Sequence, residues 1–203
     1  MSTLTKTTTF AAVALVAVTA LAGCASTNAP ESNANPSASA APTTPEPTVS
    51  TAPTAPSIDI TTGAPAAGTD AALAWEALMG PDGEYAAAAS YQAVIDTYGQ
   101  VEPYATILSQ ELKHIDALIR QLDRFGVAVP ANPYLGNIAA PADLQTAAEA
   151  WAEGEILNVE MYDRLITASI DSTLNRVFDN LRSASLNSHL PLFQQAAANG
   201  GAL

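Results

Sequence analysis

Five side chains in this sequence could share one piece of chemistry: Glu84, Glu111, His114, Glu155 and His189. The most pointed pair is Glu111-x-x-His114. Residues three apart lie on one face of a helix, so a carboxylate and an imidazole at this spacing can reach one metal ion or two adjacent ones. Carboxylate bundles that hold two metal ions in their cores use this pattern. E-x-x-H also arises by chance in helices, where it reads as a hydrogen-bonded polar pair. Its surroundings here are apolar. Ile107, Leu108, Ile115, Leu118 and Leu122 form a stripe with Glu111 and His114 in its middle. Glu84 begins the stripe of Ala88, Tyr91 and Ile95, and Glu155 lies among Trp151, Val159, Tyr162 and Ile166. Phe178 and Leu181 lead through Ser185 to His189. An isolated carboxylate is costly to bury, so each must be paired, protonated or bound to metal. A Glu or His on every long helix points to a shared site; taken alone, His189 reads as a satisfied core histidine or a helix-end cap. Oxygen and nitrogen donors without a thiolate suit iron or manganese, and zinc is also compatible.

The elements that must position these groups are helices, because no segment alternates like a strand. A short leader over Asp70–Met79 is broken by Gly80-Pro81-Asp82-Gly83. The first long helix is predicted from Gly83 to Tyr98, ending at Gly99, and the second from Pro103 to Phe125, stopping at Gly126. Pro130, Pro133 and Gly136 mark a connection. Pro141, Asp143 and Gln145 open the third helix, which runs to Ala168. Asp171 caps the fourth, predicted to reach Leu190 before Pro191 and to resume through Ala198. Long helices with short connections predict an all-α, antiparallel four-helix bundle.

The segments EYAAAASYQAVIDTYG and VEPYATILSQELKHIDALIRQLDRFGVAVPANPY resemble the first two helices of a bacterial ferritin-like domain family of unknown function. AWAEGEILNVEMYDRL and VFDNLRSASLNSHLPLF resemble its third and fourth helices, so the likeness covers Glu84 to Phe193. The resemblance implies a ferritin-like bundle with an iron or manganese centre, dinuclear in relatives that act as oxidases, peroxidases or iron stores. Carried over, Glu84 takes the first-helix carboxylate position and Glu111 with His114 the second-helix pair. Glu155 takes the third-helix carboxylate, with Glu153 as its neighbouring candidate, and His189 the fourth-helix imidazole. The sequence departs from the pattern at Leu186, where a complete fourth-helix E-x-x-H would have Glu.

The N-terminal third is of another kind. Lys6 precedes an apolar run from Phe10 to Ala22, shorter than the roughly 20 residues a spanning helix needs. It ends in Leu21-Ala22-Gly23-Cys24, which resembles the lipobox of bacterial lipoproteins. Residues 1–23 are therefore expected to be an export signal, and Cys24, the only cysteine, to carry a lipid that anchors the chain to the extracytoplasmic face of the cell membrane, in the cell envelope. Stable anchoring takes at least two acyl chains, which a diacylglyceryl cysteine supplies. Residues 24–68, rich in Ser, Thr, Pro and Ala, read as a disordered tether, either a passive spacer or a wall-crossing stalk. Residues 69–203 form the helical domain.

Charge narrows the partners. The chain carries −13, and removing residues 1–23 takes away Lys6 and no acid, leaving −14. That argues against nucleic acid and favours metal cations near the surface; nothing in the sequence identifies a protein partner. Tyr91 and Tyr162 are either core aromatics, donors to a buried carboxylate or carriers of a radical. Arg182 is either a surface residue or a counter-charge to a buried Glu. No nucleophile triad or phosphate loop is present. Two functions remain open: a metal-binding envelope protein, redox-active or not, and a non-catalytic scaffold with a metal-free polar core.

Overall fold

A computed structural model of the chain describes Ile58 and residues 60–203. The expected export signal, Cys24 and most of the tether lie outside the described residues. Within them every regular element is a helix: α1 (Asp70–Met79), α2 (Glu84–Tyr98), α3 (Tyr104–Arg124), α4 (Leu144–Ala168), α5 (Ser172–Ala184) and α6 (Leu190–Ala198), with a π turn, Ser185–His189, joining the last two. No helix among the described residues is long and apolar enough to cross a membrane.

Local chemistry explains the helix starts. Thr69, Asp143 and Asp171 stand just before α1, α4 and α5, and their side chains accept the otherwise unpaired N–H groups of Ala72, Thr146, and Thr173 with Leu174. Asp171 is also gripped by both terminal nitrogens of Arg124, each at 2.9 Å. Gly83, before α2, has no side chain for a different reason. A Cβ there would lie 2.5 Å from the carbonyl oxygen of Ala77, so glycine lets α2 begin against the end of α1. This contact fixes where Glu84, the first residue of α2, enters the interior.

The helices pack mainly as α2 on α3 and α4 on α6, with α1 laid on α3 and α5 on α4. Their apolar faces form two clusters. The larger gathers Leu78, Leu118, Leu122, Leu165, Leu174 and Phe178 among others. The smaller holds Tyr91, Val94, Tyr104, Ile107 and Phe193. On α3 the buried stripe runs Tyr104, Ile107, Glu111, Ile115, Leu118, Leu122. Ile107 belongs to one cluster and Ile115 to the other, so Glu111 sits in the layer between them.

Two expectations change. The packed region begins before residue 69: Ile58 and Ile60 lie against the larger cluster, and the Ile60 carbonyl accepts the Trp75 indole N–H at 2.9 Å. Two isoleucines can bury enough surface to order a segment that its Ser/Thr/Pro composition alone would leave free. The second concerns Pro191, which does not interrupt the last helix. Proline lacks an N–H and crowds the carbonyl four residues earlier, but the ladder before it is already widened, with Leu190 N–H bonded to the Ser185 carbonyl five residues back.

Candidate metal centre

The polar layer between the clusters contains all five predicted residues. Glu84, Glu111, Glu155 and His189 are buried and His114 is nearly so. They converge as two groups that share Glu111: Glu84, Glu111 and His114 on one side, and Glu111, Glu155 and His189 on the other. Within each group the potential ligand atoms lie within 4.8 Å of one another, so either group could hold a metal ion.

Glu111 bridges the groups with its two oxygens. Its Oε2 is 2.8 Å from His114 Nδ1, and its Oε1 is 3.1 Å from His189 Nδ1. Glu84 Oε2 stands 3.8 Å from His114 Nδ1, and Glu155 Oε1 is 3.5 Å from His189 Nδ1. The two imidazoles stack with centroids 5.5 Å apart. A tyrosine approaches from each apolar cluster. Tyr91 donates to Glu155 Oε1 at 2.6 Å, and Tyr162 donates a short hydrogen bond to Glu84 Oε1. Both tyrosines therefore fill the core while each donates to an acid.

The most telling atom is Nδ1 of His189. It is buried and has no hydrogen-bond partner, with a Glu111 oxygen 3.1 Å and a Glu155 oxygen 3.5 Å away. The other ring nitrogen, Nε2, lies 3.0 Å from Gln110 Oε1. An amide oxygen only accepts, so Nε2 carries the proton and Nδ1 of the neutral ring presents a lone pair toward two carboxylates. Such an arrangement needs a proton or a cation. A ring whose far nitrogen donates to a neighbour is also how histidine is commonly oriented toward a metal.

Protonation among these groups follows from crowding. Burial, then the nearby Glu111 charge, pushes Glu84 up to about 8. Burial also opposes the charge on Glu111, but the adjoining Glu84, His114 and His189 hold it below the usual carboxylate range. Burial would lower both histidines, yet the adjoining carboxylates raise His114 to about 10 and His189 to about 9. Burial and the neighbouring acids push Tyr91 and Tyr162 well above the ordinary phenol. Among the described residues, the ion pairs of the three acids are with the two histidines. Arg182 pairs instead with exposed Asp163 at 2.6 Å, so it is the surface arginine and not a counter-charge.

The π turn explains how His189 reaches this layer. Successive buried positions Leu181, Ser185, His189 and Phe193 are four apart. At about 100° per residue, twelve residues of regular helix drift by roughly 120° from a single face; one extra residue in the turn removes most of that drift. The same turn alters the reading of Leu186. Position 186 is 37% exposed, while Ser185 is buried and donates to Asn158 Oδ1 at 2.8 Å. A glutamate three residues before His189 would thus sit at the surface in this register. Glu153 is exposed and outside the ligand groups, so of the two third-helix candidates Glu155 is the one that faces the layer. Gln110 was not foreseen, since a half-exposed glutamine beside a core stripe carries no signal of its own. Comparison of the chain with protein-family models, with curated proteins and with solved structures finds no match.

Proposed function

We propose that this chain is a lipid-anchored protein of the bacterial cell envelope whose helices form an antiparallel, ferritin-like four-helix bundle around an iron or manganese centre. Glu84, Glu111, His114, Glu155 and His189 are its ligands, with Glu111 shared between two ions. The observation that carries the reading is the unpartnered, buried Nδ1 of His189, held toward Glu111 and Glu155 by the contact of Nε2 with Gln110. Charge supports two ions. Three carboxylates offset two divalent cations to within one unit, which a hydroxide would balance, and both imidazoles can then be neutral ligands.

Iron or manganese bound there would supply one-electron redox chemistry toward oxygen or peroxide. The chain's own groups do the rest. Tyr91 and Tyr162 hold Glu155 and Glu84 in place, Gln110 sets the His189 tautomer, and the flanking clusters limit water. The Leu21-Ala22-Gly23-Cys24 motif supports the anchor, which would keep this domain outside the membrane on its tether.

A second reading has its own support. The His114–Glu111 bond and the two tyrosine bonds satisfy much of the layer without metal, as in a scaffold with a polar core. Metal analysis of the protein, purified without a histidine tag and offered Fe(II) or Mn(II), separates the two. About two ions per chain are expected; none retained means the scaffold reading holds. Cys24→Ala is expected to move the protein out of the membrane fraction, and an unchanged distribution would refute the anchor.

A further inference from the structure

A cleft of about 250 Å³ opens between the start of α2 and the middle of α4, and it reaches the ligand layer. Ala86 and Ala87 form one wall, and Ala150 and Gly154 the other. At its inner end are Tyr91 and the buried carboxylates of Glu111 and Glu155; exposed Asp82 and Glu153 also line it, toward solvent. We propose that this cleft is the route by which a hydrated divalent cation reaches the centre, with Asp82 and Glu153 as its capture point and Gly154 as the residue that keeps it open. The inference rests on the metal-centre reading and adds to it how the centre is loaded.

Three observations support it. The first is size. Six waters at about 30 Å³ each occupy roughly 180 Å³, so a cation with its octahedral water shell fits the cleft and can shed water as Glu111 and Glu155 replace it. The second is charge. The opening carries two acids on a chain of net charge −13, and acids lining a concave, low-dielectric wall raise the local cation concentration.

The third is Gly154. Glycine inside a helix is less favourable than alanine, and α4 derives no backbone benefit from it. Its φ is not positive, and a Cβ there would meet only Trp151 Cε3, at an ordinary 3.7 Å. The space left by the missing side chain belongs to the cleft. Asn158 also fixes the outer end. It donates to the Asp82 carbonyl at 3.1 Å and accepts from Ser185 of the π turn, tying the opening to the segment that bears His189.

The test uses the full-length protein in mild detergent and Co(II), whose visible bands report ligation, followed by stopped flow at low salt. Gly154→Leu is expected to slow appearance of the bands at least tenfold while leaving their final intensity and shape unchanged. Ala87→Leu on the opposite wall should do the same, and it decides the matter should Gly154→Leu not fold. Ala93→Leu, in a different surface depression on α2, should load at the wild-type rate. D82N with E153Q should lower the low-salt rate and leave little salt dependence. If both wall variants load as fast as wild type, the route is wrong and the metal centre stands. If wild type develops no bands, the metal reading fails and the route with it.

Discussion

Replacing Glu111 by glutamine removes one charge and almost no volume from the carboxylate shared by both ligand groups. In the metal-free protein the variant loses charge-assisted bonding to His114, at 2.8 Å, and the attraction of His189. Hydrogen bonds to charged groups are worth about 1.5–3 kcal/mol. Relief of the repulsion that raises Glu84 offsets part of this, so the net loss should be near the lower figure. For about 145 described residues, unfolding entropy is roughly 0.3 kcal/mol/K, and Tm should fall by about 5 °C. Metal separates the proteins further. A ligand at a hundred times its Kd stabilises by about 2.7 kcal/mol, equivalent to about 9 °C here. Calorimetry with and without Mn(II) reads both quantities. With both ions bound, wild type should gain about 18 °C and Glu111→Gln close to none. If the variant gains as much as wild type, Glu111 is not a shared ligand and the centre is drawn wrongly.

Acidity gives a second prediction. Glu84, His114 and His189 are all raised, to about 8, 10 and 9, so above the ordinary carboxylate range, where Glu111 is ionised in both states, the folded metal-free protein binds more protons than the unfolded chain, and its stability must fall as pH rises. The histidine contribution is complete below about pH 6.5 and lost through pH 9 to 10, and holding Glu84 in place grows costlier up to about pH 8. Urea titrations in chelator should show this decline and metal affinity should rise over the same interval as protons leave the ligands; a flat stability profile would contradict the burial of these groups. Tyr91→Phe keeps its ring contacts with Trp151 and Phe193 but leaves Glu155 without its donor, which should cost about 1.5–3 kcal/mol in chemical denaturation; an unchanged midpoint would mean the bond contributes nothing. Gly201 has φ +104°, and a Cβ there would lie 2.1 Å from the Leu144 carbonyl carbon. Gly201→Ala should therefore lose about 3 kcal/mol as the tail leaves the start of α4, and a stability equal to wild type would show that the tail does not pack there.

The helices and the five ligand candidates were legible because both rest on periodicity. The α3 stripe is regular enough that an acid and an imidazole within it must face the interior, and Asp143 and Asp171 mark starts that their side chains cap. What escaped were features that depend on irregular backbone or on pairs far apart in the chain. The π turn between Ser185 and His189 shifts register by one residue, so position 186, one residue from the buried Ser185, turns outward. A four-residue spacing sustained from Leu181 to Phe193, with a tolerated Pro191, is the trace it leaves in the sequence. Gln110 matters only because His189 comes to rest beside it, and no local pattern encodes that meeting. Ile58 and Ile60 were hidden by the Ser/Thr/Pro background around them.

The position of a bound cation decides between a metal centre and a metal-free polar core. Crystals of the protein soaked in Mn(II) and measured at the manganese absorption edge would locate it directly. Anomalous density beside Nδ1 of His189 and between the oxygens of Glu111 is the predicted result. Density confined to surface acids such as Asp82 and Glu153, with Nδ1 of His189 instead hydrogen-bonded to a carboxylate, would contradict it.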